Sequence, residues 1–284
     1  REPYRVERGA NVRGHSYFSY GRIYYKAPGQ LFLGRWHIDR RNSFIYGESG
    51  IEGVIELARL AKIPIQRMAR TSPGTAITSM QLDRAFQEGI LIPWKKGEPE
   101  KFKTAWDLLV SDKGGLVFQP KLGIFEDVAE IDFASMYPTI MAIHNISPET
   151  VGKEHMHEGL IPRTLRPLLE KRLMIKNILL DLNPNDCRVG LLKRRAAALK
   201  WLLVVCFGYL GYKNARFGKI ESHEAVTAMS RELMLQAKEV AEDMGFTVLH
   251  MYVDCLFVQQ EGFHRSSDFT PLKNAIEEKT GIPI

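Results

Sequence analysis

The stretch Ile131-Asp132-Phe133-Ala134-Ser135-Met136-Tyr137-Pro138-Thr139-Ile140 constrains this chain more than any other. A run from Ile124 to Ile131, apolar but broken by acids, has the character of a strand and delivers one carboxylate, Asp132. The chain then turns through Ser135 to Tyr137 and meets Pro138, which suits the first turn of a helix. A lone Asp at a strand end is ordinarily a cap or turn residue. Asp132 has company, because Asp254 lies inside a second strongly apolar run, Val248 to Val258. Two strand-borne carboxylates far apart in sequence can meet in one sheet and hold divalent metal.

The segment Asp132 to Ile140 resembles motif A of the B-family DNA polymerases, whose pattern is D-F-x-S-L-Y-P-S-I. His144-Asn145-Ile146-Ser147-Pro148-Glu149-Thr150 is similar to the H-N-x-S-P-x-T of that family. The resemblance implies an α+β fold: a palm of antiparallel sheet with helices, a two-helix fingers insertion and an N-terminal remnant of the exonuclease domain. The boundaries it implies are 1–62 for the remnant, 63–110 for a helical connector, 111–160 for the first part of the palm, 161–212 for the fingers and 213–284 for the second part. The thumb of the family is expected to be absent. Another protein chain would then supply thumb or clamp functions, or the sequence is a piece of a longer one; it begins at Arg1 rather than Met.

Composition narrows the class without deciding it. A length of 284 residues suits two or three domains. The formal net charge of +6 fits a polyanionic partner, as it would in many unrelated proteins. Cys187, Cys206 and Cys255 are spaced for neither a zinc site nor a disulfide framework, and read as reduced thiols of an intracellular protein. No apolar run approaches the ~18 residues of a membrane span, and the first residues do not form a signal peptide. The expected location is the cytoplasm, associated with the nucleoid.

Along the chain, Tyr17 to Tyr25 alternates as strand pairs do around Gly21. Its aromatics beside Arg22 would either face a sheet or stack on bases. Gly34-Arg35-Trp36-His37-Ile38-Asp39 looks like a G-R-x-H-x-D strand late in the exonuclease domain of the family. The last acidic exonuclease motif has the pattern Y-x-x-x-D; its counterpart here is Tyr46 to Gly50, where glycine replaces the metal-binding acid. A helix from Ile51 to Ala61 is expected next, then a segment from Ile65 to Gly74 similar to the R-x-S-x-G of the family, then a helix from Thr75 to Gln87 ending at Gly89. Trp94 to Pro99 reads as a polar connector. Gly114 and Gly115 match a Y-x-G-G linker that touches template DNA in the family, although Asp112 replaces the aromatic.

Leu165 to Leu180 and Leu191 to Tyr209 read as two helices broken by Asn183-Pro184-Asn185, and resemble the fingers. Arg172 and Lys176 stand four residues apart on one face. In the family such a pair grips the incoming triphosphate. Lys200 to Gly208 aligns with motif B, K-x-x-x-N-S-x-Y-G: Lys200 and Gly208 match, while Val204, Val205 and Phe207 replace Asn, Ser and Tyr. A greasier nucleotide pocket with weaker selection is expected. Lys213, Arg216 and Lys219 then place positive charge near the expected DNA path. Helices are expected from Glu224 to Met244, ended by Gly245, and from Pro271 to Thr280, with a strand pair between them.

Motif C, Y-G-D-T-D-S-x-F-V, admits two registers. Matching on tyrosine sets Asp254 on the first Asp and Leu256 on the second, and needs two gaps. Counting from Gly245-Phe246 is ungapped: Tyr252 replaces the first Asp, Asp254 is the second, and Phe257-Val258 falls on F-V. The second register is preferred. Alternation along a strand does not separate them, since positions 252, 254 and 256 would share a face.

The resemblance thus implies template-directed DNA synthesis from dNTPs on primer–template DNA, weak and without proofreading, like the divergent archaeal type often described as inactivated. Asp132 and Asp254 would bridge two Mg²⁺ ions roughly 4 Å apart. Arg172, Lys176 and Lys200 would neutralise phosphate charge. Tyr137 would lie under the sugar, and backbone amides from Ala134 through Ser135 to Met136 would touch phosphate oxygens. A catalytically inactive, DNA-binding or scaffolding subunit is the alternative that the altered motifs B and C leave open. A metal-dependent nuclease lacks support, because no cluster of three or more acids is visible.

Overall fold

A computed structural model describes residues 8–19, 22–94, 102–111, 113–153 and 157–284. Tyr20 and Gly21, Lys95 to Pro99 of the connector and Asp112 of the linker lie outside the described residues. The chain divides into two compact units: residues up to Gln87 with Glu170–Val205, and Glu88–Leu169 with Cys206–Ile284.

In the first unit, strands β1 (Arg8–Val12), β2 (His15–Ser19), β3 (Arg22–Lys26) and β4 (Gly29–Phe32) form two antiparallel pairs, β1 with β4 and β2 with β3. The β2–β3 pair is the one expected from Tyr17 to Tyr25, and its rings stack on each other, Tyr17 on Tyr24 at 5.5 Å, with both remaining exposed. The expected strand from Gly34 to Asp39 does not form. Gly34 turns the chain with φ 72°, and the Gln66 side chain then takes the place of a partner strand. Its Oε1 accepts from the backbone N–H groups of Phe32 and His37 at 3.1 and 3.0 Å.

Helix α1 (Phe44–Ala61) starts seven residues before the predicted Ile51, because Ser43 caps its first turn by accepting from Tyr46 N–H at 3.2 Å. It is two helical pieces joined at Gly50, whose φ 63° and ψ −169° lie outside helical space. A short α2 (Ile65–Met68) leads to α3 (Pro73–Gln87), and α1 packs on α3 through buried Val54, Leu57, Ala61, Ala76 and Ile77.

In the second unit, α4 (Ala105–Val110) is closed by a reciprocal cap between Thr104 and Asp107. Strands β5 (Val117–Phe118) and β6 (Ala129–Asp132) follow, then α5 (Met136–Ile143). The long helices α6 (Leu160–Asp181) and α7 (Cys187–Gly211) contribute to both units; α8 (Ile220–Asp243), strands β7 (Thr247–Tyr252) and β8 (Cys255–Gln259), and α9 (Thr270–Thr280) complete the chain. The sheet order is β5-β7-β8-β6, antiparallel throughout. Its inner row Ile131, Leu256 and Met251 is buried, and α8 packs on the same sheet with α9 and α5 against it.

Two expectations need correction here. The strand predicted from Ile124 is only Ala129–Asp132, because Leu122 and Ile124 are 95% and 97% exposed and Asp127 takes a left-handed φ of 52°. Residues so exposed gain nothing from a sheet face. The strand pair expected between α8 and α9 forms within the run Val248 to Val258, but Asp254 is not strand-borne: it sits in the turn between β7 and β8.

Candidate active site at the end of the four-stranded sheet

The sheet register decides where the acids go. Asp132 of β6 pairs with Cys255 of β8, and Cys255 pairs on its other side with Tyr252 of β7. One position along, Ile131, Leu256 and Met251 form the next row, directed into the core at 6%, 0% and 0% exposure. Neighbouring rows of a pleated sheet face opposite sides. Asp132 and Tyr252 therefore share the outer face, two strands or about 10 Å apart. The expectation that Tyr252, Asp254 and Leu256 share a face is overturned by the turn: Leu256 lies in the core, and Tyr252 is 55% exposed.

The turn also brings Asp254 to Asp132. The backbone N–H of Phe133, next to Asp132, donates to the carbonyl of Asp254 at 3.0 Å. Cys255 registers the result electrostatically. Burial first, and then the charges of Glu130, Asp254 and Asp132, push its thiol up to about 11. The turn is backbone-strained: Val253, a β-branched residue, has φ 56°. It is held there by its N–H donating to Leu116 O at 2.8 Å.

Behind the turn lies the glycine linker. A Cβ at Gly115 would stand 2.8 Å from Val253 Cγ1 and 3.1 Å from Tyr137 Oη, so glycine is required for close approach to both. Gly114 adopts φ 67°, and its carbonyl accepts from Arg231 Nη1 at 2.8 Å. The two glycines thus differ. We expect Gly115→Ala to destabilise by about 1–3 kcal/mol through overpacking against Val253 and Tyr137. Gly114→Ala, in open space, should cost about 1–2 kcal/mol through its left-handed backbone alone. Chemical denaturation measures both, and only the first variant should also alter the environment of Tyr137, read by its fluorescence or ring proton shifts.

Motif A makes the other wall. Ser135 enters α5 with φ 56° and ψ 49°, and Pro138 falls in the first turn, where its missing N–H costs nothing. Met136 is buried with its sulfur 3.5 Å from Ser230 Oγ. Of the amides expected at phosphate, that of Ala134 is otherwise engaged, donating to Pro283 O at 2.7 Å. The Tyr137 ring packs on Phe207 at 4.4 Å, and Phe207 stacks on His223 at 4.2 Å. Phe207, which lacks the hydroxyl of the expected Tyr, is thus the middle of an aromatic stack.

The segment His144 to Thr150, to which sequence reasoning gave no task, caps α6. Ser147 Oγ accepts from Ile161 N–H at 3.3 Å and Glu149 Oε1 accepts from Leu160 N–H at 2.5 Å. Asn145 Oδ1 accepts from Gly159 N–H at 2.7 Å. The polar spacing of the motif was the available signal, since such residues satisfy helix N-termini.

The predicted cations divide between the units. Lys213 is exposed, Arg216 is half-buried, and Lys219 lies at the start of α8 with its Nζ 3.4 Å from Pro148 O. Arg172, half-buried, and exposed Lys176 and Lys200 belong to the first unit. Among the described residues no group of three or more His, Cys, Asp or Glu is arranged to hold a metal ion, and no helix is long and apolar enough to cross a membrane. The backbone bond from Phe133 N–H to Asp254 O places Asp132 and Asp254 next to each other at the turn. Hard oxygen donors fit Mg²⁺, which commonly completes its shell with water and substrate oxygens.

With that geometry in view, likeness to known proteins is specific. The model of DNA polymerase family B matches residues 63–155 and 151–264. The chain belongs to DNA polymerase family B. It is similar to DNA polymerase 2 of Saccharolobus solfataricus, 35% identical over 82% of this chain and 36% of that protein. A DNA polymerase of Archaeoglobus fulgidus is 30% identical over 87% of the chain and 32% of its own length. The solved structure of the family B DNA polymerase from Pyrobaculum calidifontis superposes with a TM-score of 0.60 at 30% identity, covering 82% of this chain and 31% of that one. The chain thus spans about a third of the length of these family B relatives.

Proposed function

We propose that the protein carries out template-directed DNA synthesis from dNTPs by nucleotidyl transfer, weakly and without proofreading. The observation that carries this reading is the meeting of Asp132 and Asp254 at one end of the sheet, through the Phe133 N–H to Asp254 O bond. The two carboxylates would hold Mg²⁺, two ions in our reading, which when bound lowers the cost of ionising a primer hydroxyl and of charge on phosphate. Tyr137, braced by Phe207, would lie beneath the sugar and exclude a 2′-hydroxyl. Arg172, Lys176 and Lys200 would bind and orient the triphosphate, while Gly114, Gly115, Lys213, Arg216 and Lys219 would line the primer–template DNA. Gly50, in place of an acid, supports the absence of 3′–5′ exonuclease action. In this reading residues 1–62 are the exonuclease remnant, 161–212 the fingers and the rest connector and palm.

A second reading, an inactive DNA-binding scaffold, is favoured by apolar Val204 and Val205 in motif B and by Tyr252 in motif C. Primer extension by the full-length protein, with Asp132→Asn as control, separates the two. Extension that the control lacks supports synthesis; no extension by either, with DNA still bound, supports the scaffold.

The cations provide an internal check. Lys200→Ala should raise the apparent KM for dNTP by about tenfold or more, the loss of one charge-assisted phosphate contact of about 1.5–3 kcal/mol. Lys219→Ala should leave it nearly unchanged, since that side chain reaches Pro148 O. Equal KM values in steady-state extension would count against the assignment of Lys200.

A further inference from the structure

We propose that Glu56 is a positioning residue for the nucleotide-binding cations, acting at the inner end of a ladder on α1 that grips the α6 and α7 segments of the first unit. This rests on the transfer reading above. Phe44, Glu48, Glu52 and Glu56 follow one another at four-residue steps along α1, and each meets a side chain of α6 or α7. Phe44 lies edge-on to Trp201 with ring centroids 4.8 Å apart. Trp201 Nε1 donates to Glu48 Oε2 at 3.2 Å. Arg194 Nε stands 3.1 Å from Glu52 Oε2.

Glu56 is the rung that matters most, because it is only 2% exposed. A carboxylate so deep is tolerated when cations face it. Here they come from two different helices: Lys171 of α6 forms an ion pair with Oε1, and Arg195 Nε of α7 lies 3.5 Å from Oε2. One buried charge therefore fixes α6 and α7 to α1 together. Lys171 precedes Arg172 in the chain, and Trp201 follows Lys200, so the ladder ends next to the cations assigned to the triphosphate. A helix whose resemblance is to a lost proofreading site would here set the register of the nucleotide grip.

The test uses full-length protein and the isosteric change Glu56→Gln, read by hydrogen–deuterium exchange and by steady-state primer extension. Amide protection across 170–181 and 187–205 should fall about tenfold while 247–259 keeps its own, the signature of losing one buried pair locally. The apparent KM for dNTP should rise about tenfold with kcat changed less than about threefold. Unchanged protection, or lowered protection with an unmoved KM, would overturn the proposal. So would equal loss across 247–259, which would make Glu56 a general stability element. If Glu56→Gln does not fold, Glu52→Gln decides with the same readouts, expected at about threefold because its pair with Arg194 is more exposed. Wild-type protein that extends no primer, with the exchange pattern as expected, would uphold the ladder and sink the transfer reading.

Discussion

Asp254→Asn and Asp132→Asn should each lower primer extension by the full-length protein about 10³-fold, the scale of losing a group that stabilises developing charge. The two losses should be equal, because in our reading each carboxylate is half of the single donor pair. Tyr252→Asp should leave activity equal or higher: the side chain is exposed, on the Asp132 face, two strands away. Leu256→Asp should instead unfold the second unit. Leu256 is fully buried between Ile131 and Met251, and an unpaired carboxylate there costs several kcal/mol. Extension kinetics and thermal denaturation of the four variants provide the measurement. A folded Leu256→Asp protein with increased synthesis would show that the tyrosine-matched register is right and that Asp254 is the lesser acid.

Gly50→Asp, the change that would restore the missing exonuclease acid, should destabilise the first unit by about 3 kcal/mol and restore no 3′–5′ degradation. Two independent costs add. The backbone at φ 63°, ψ −169° lies in a region that essentially only glycine occupies. A Cβ would also stand 2.8 Å from Arg194 Cδ, the side chain that reaches Glu52. Gly47 provides the contrast: it lies in the same helix with nothing within 4 Å of a Cβ. Gly47→Ala should therefore stabilise by about 0.5–1 kcal/mol. Opposite shifts of the denaturation midpoint are the expected result; a Gly50→Asp protein as stable as wild type would show that the helix break does not depend on glycine.

What could be read from the sequence was whatever local pattern determines. Helices with apolar faces and terminal signals emerged near their true spans: α3, α8 and α9 begin within a few residues of where spacing and caps set them. Motif A could be read because Asp132, Tyr137 and Pro138 combine a strand end with a helix start. Long-range pairing was less accessible. That Ser147 and Glu149 cap α6, or that Gln66 replaces a partner strand for Phe32 and His37, depends on contacts 11 to 34 residues apart. A strand pair was expected around motif C, but the place of its turn was hidden, because Val253 carries no turn signal. Neither glycine nor asparagine marks the left-handed position; tertiary contacts impose it. The Glu56 cluster left no pattern either, since acid on a helix ordinarily signals solvent.

Val253 has a consequence beyond its own backbone. A left-handed β-branched residue costs roughly 1–2 kcal/mol that glycine would not. Its side chain, however, fills the space beside Gly115, and its N–H fastens the turn to Leu116. The linker and the acid-bearing turn therefore behave as one mechanical part. Glycine at 253 would relax the chain and set Asp254 adrift, so tolerance to heat and precision of the carboxylate pair pull this one position in opposite directions.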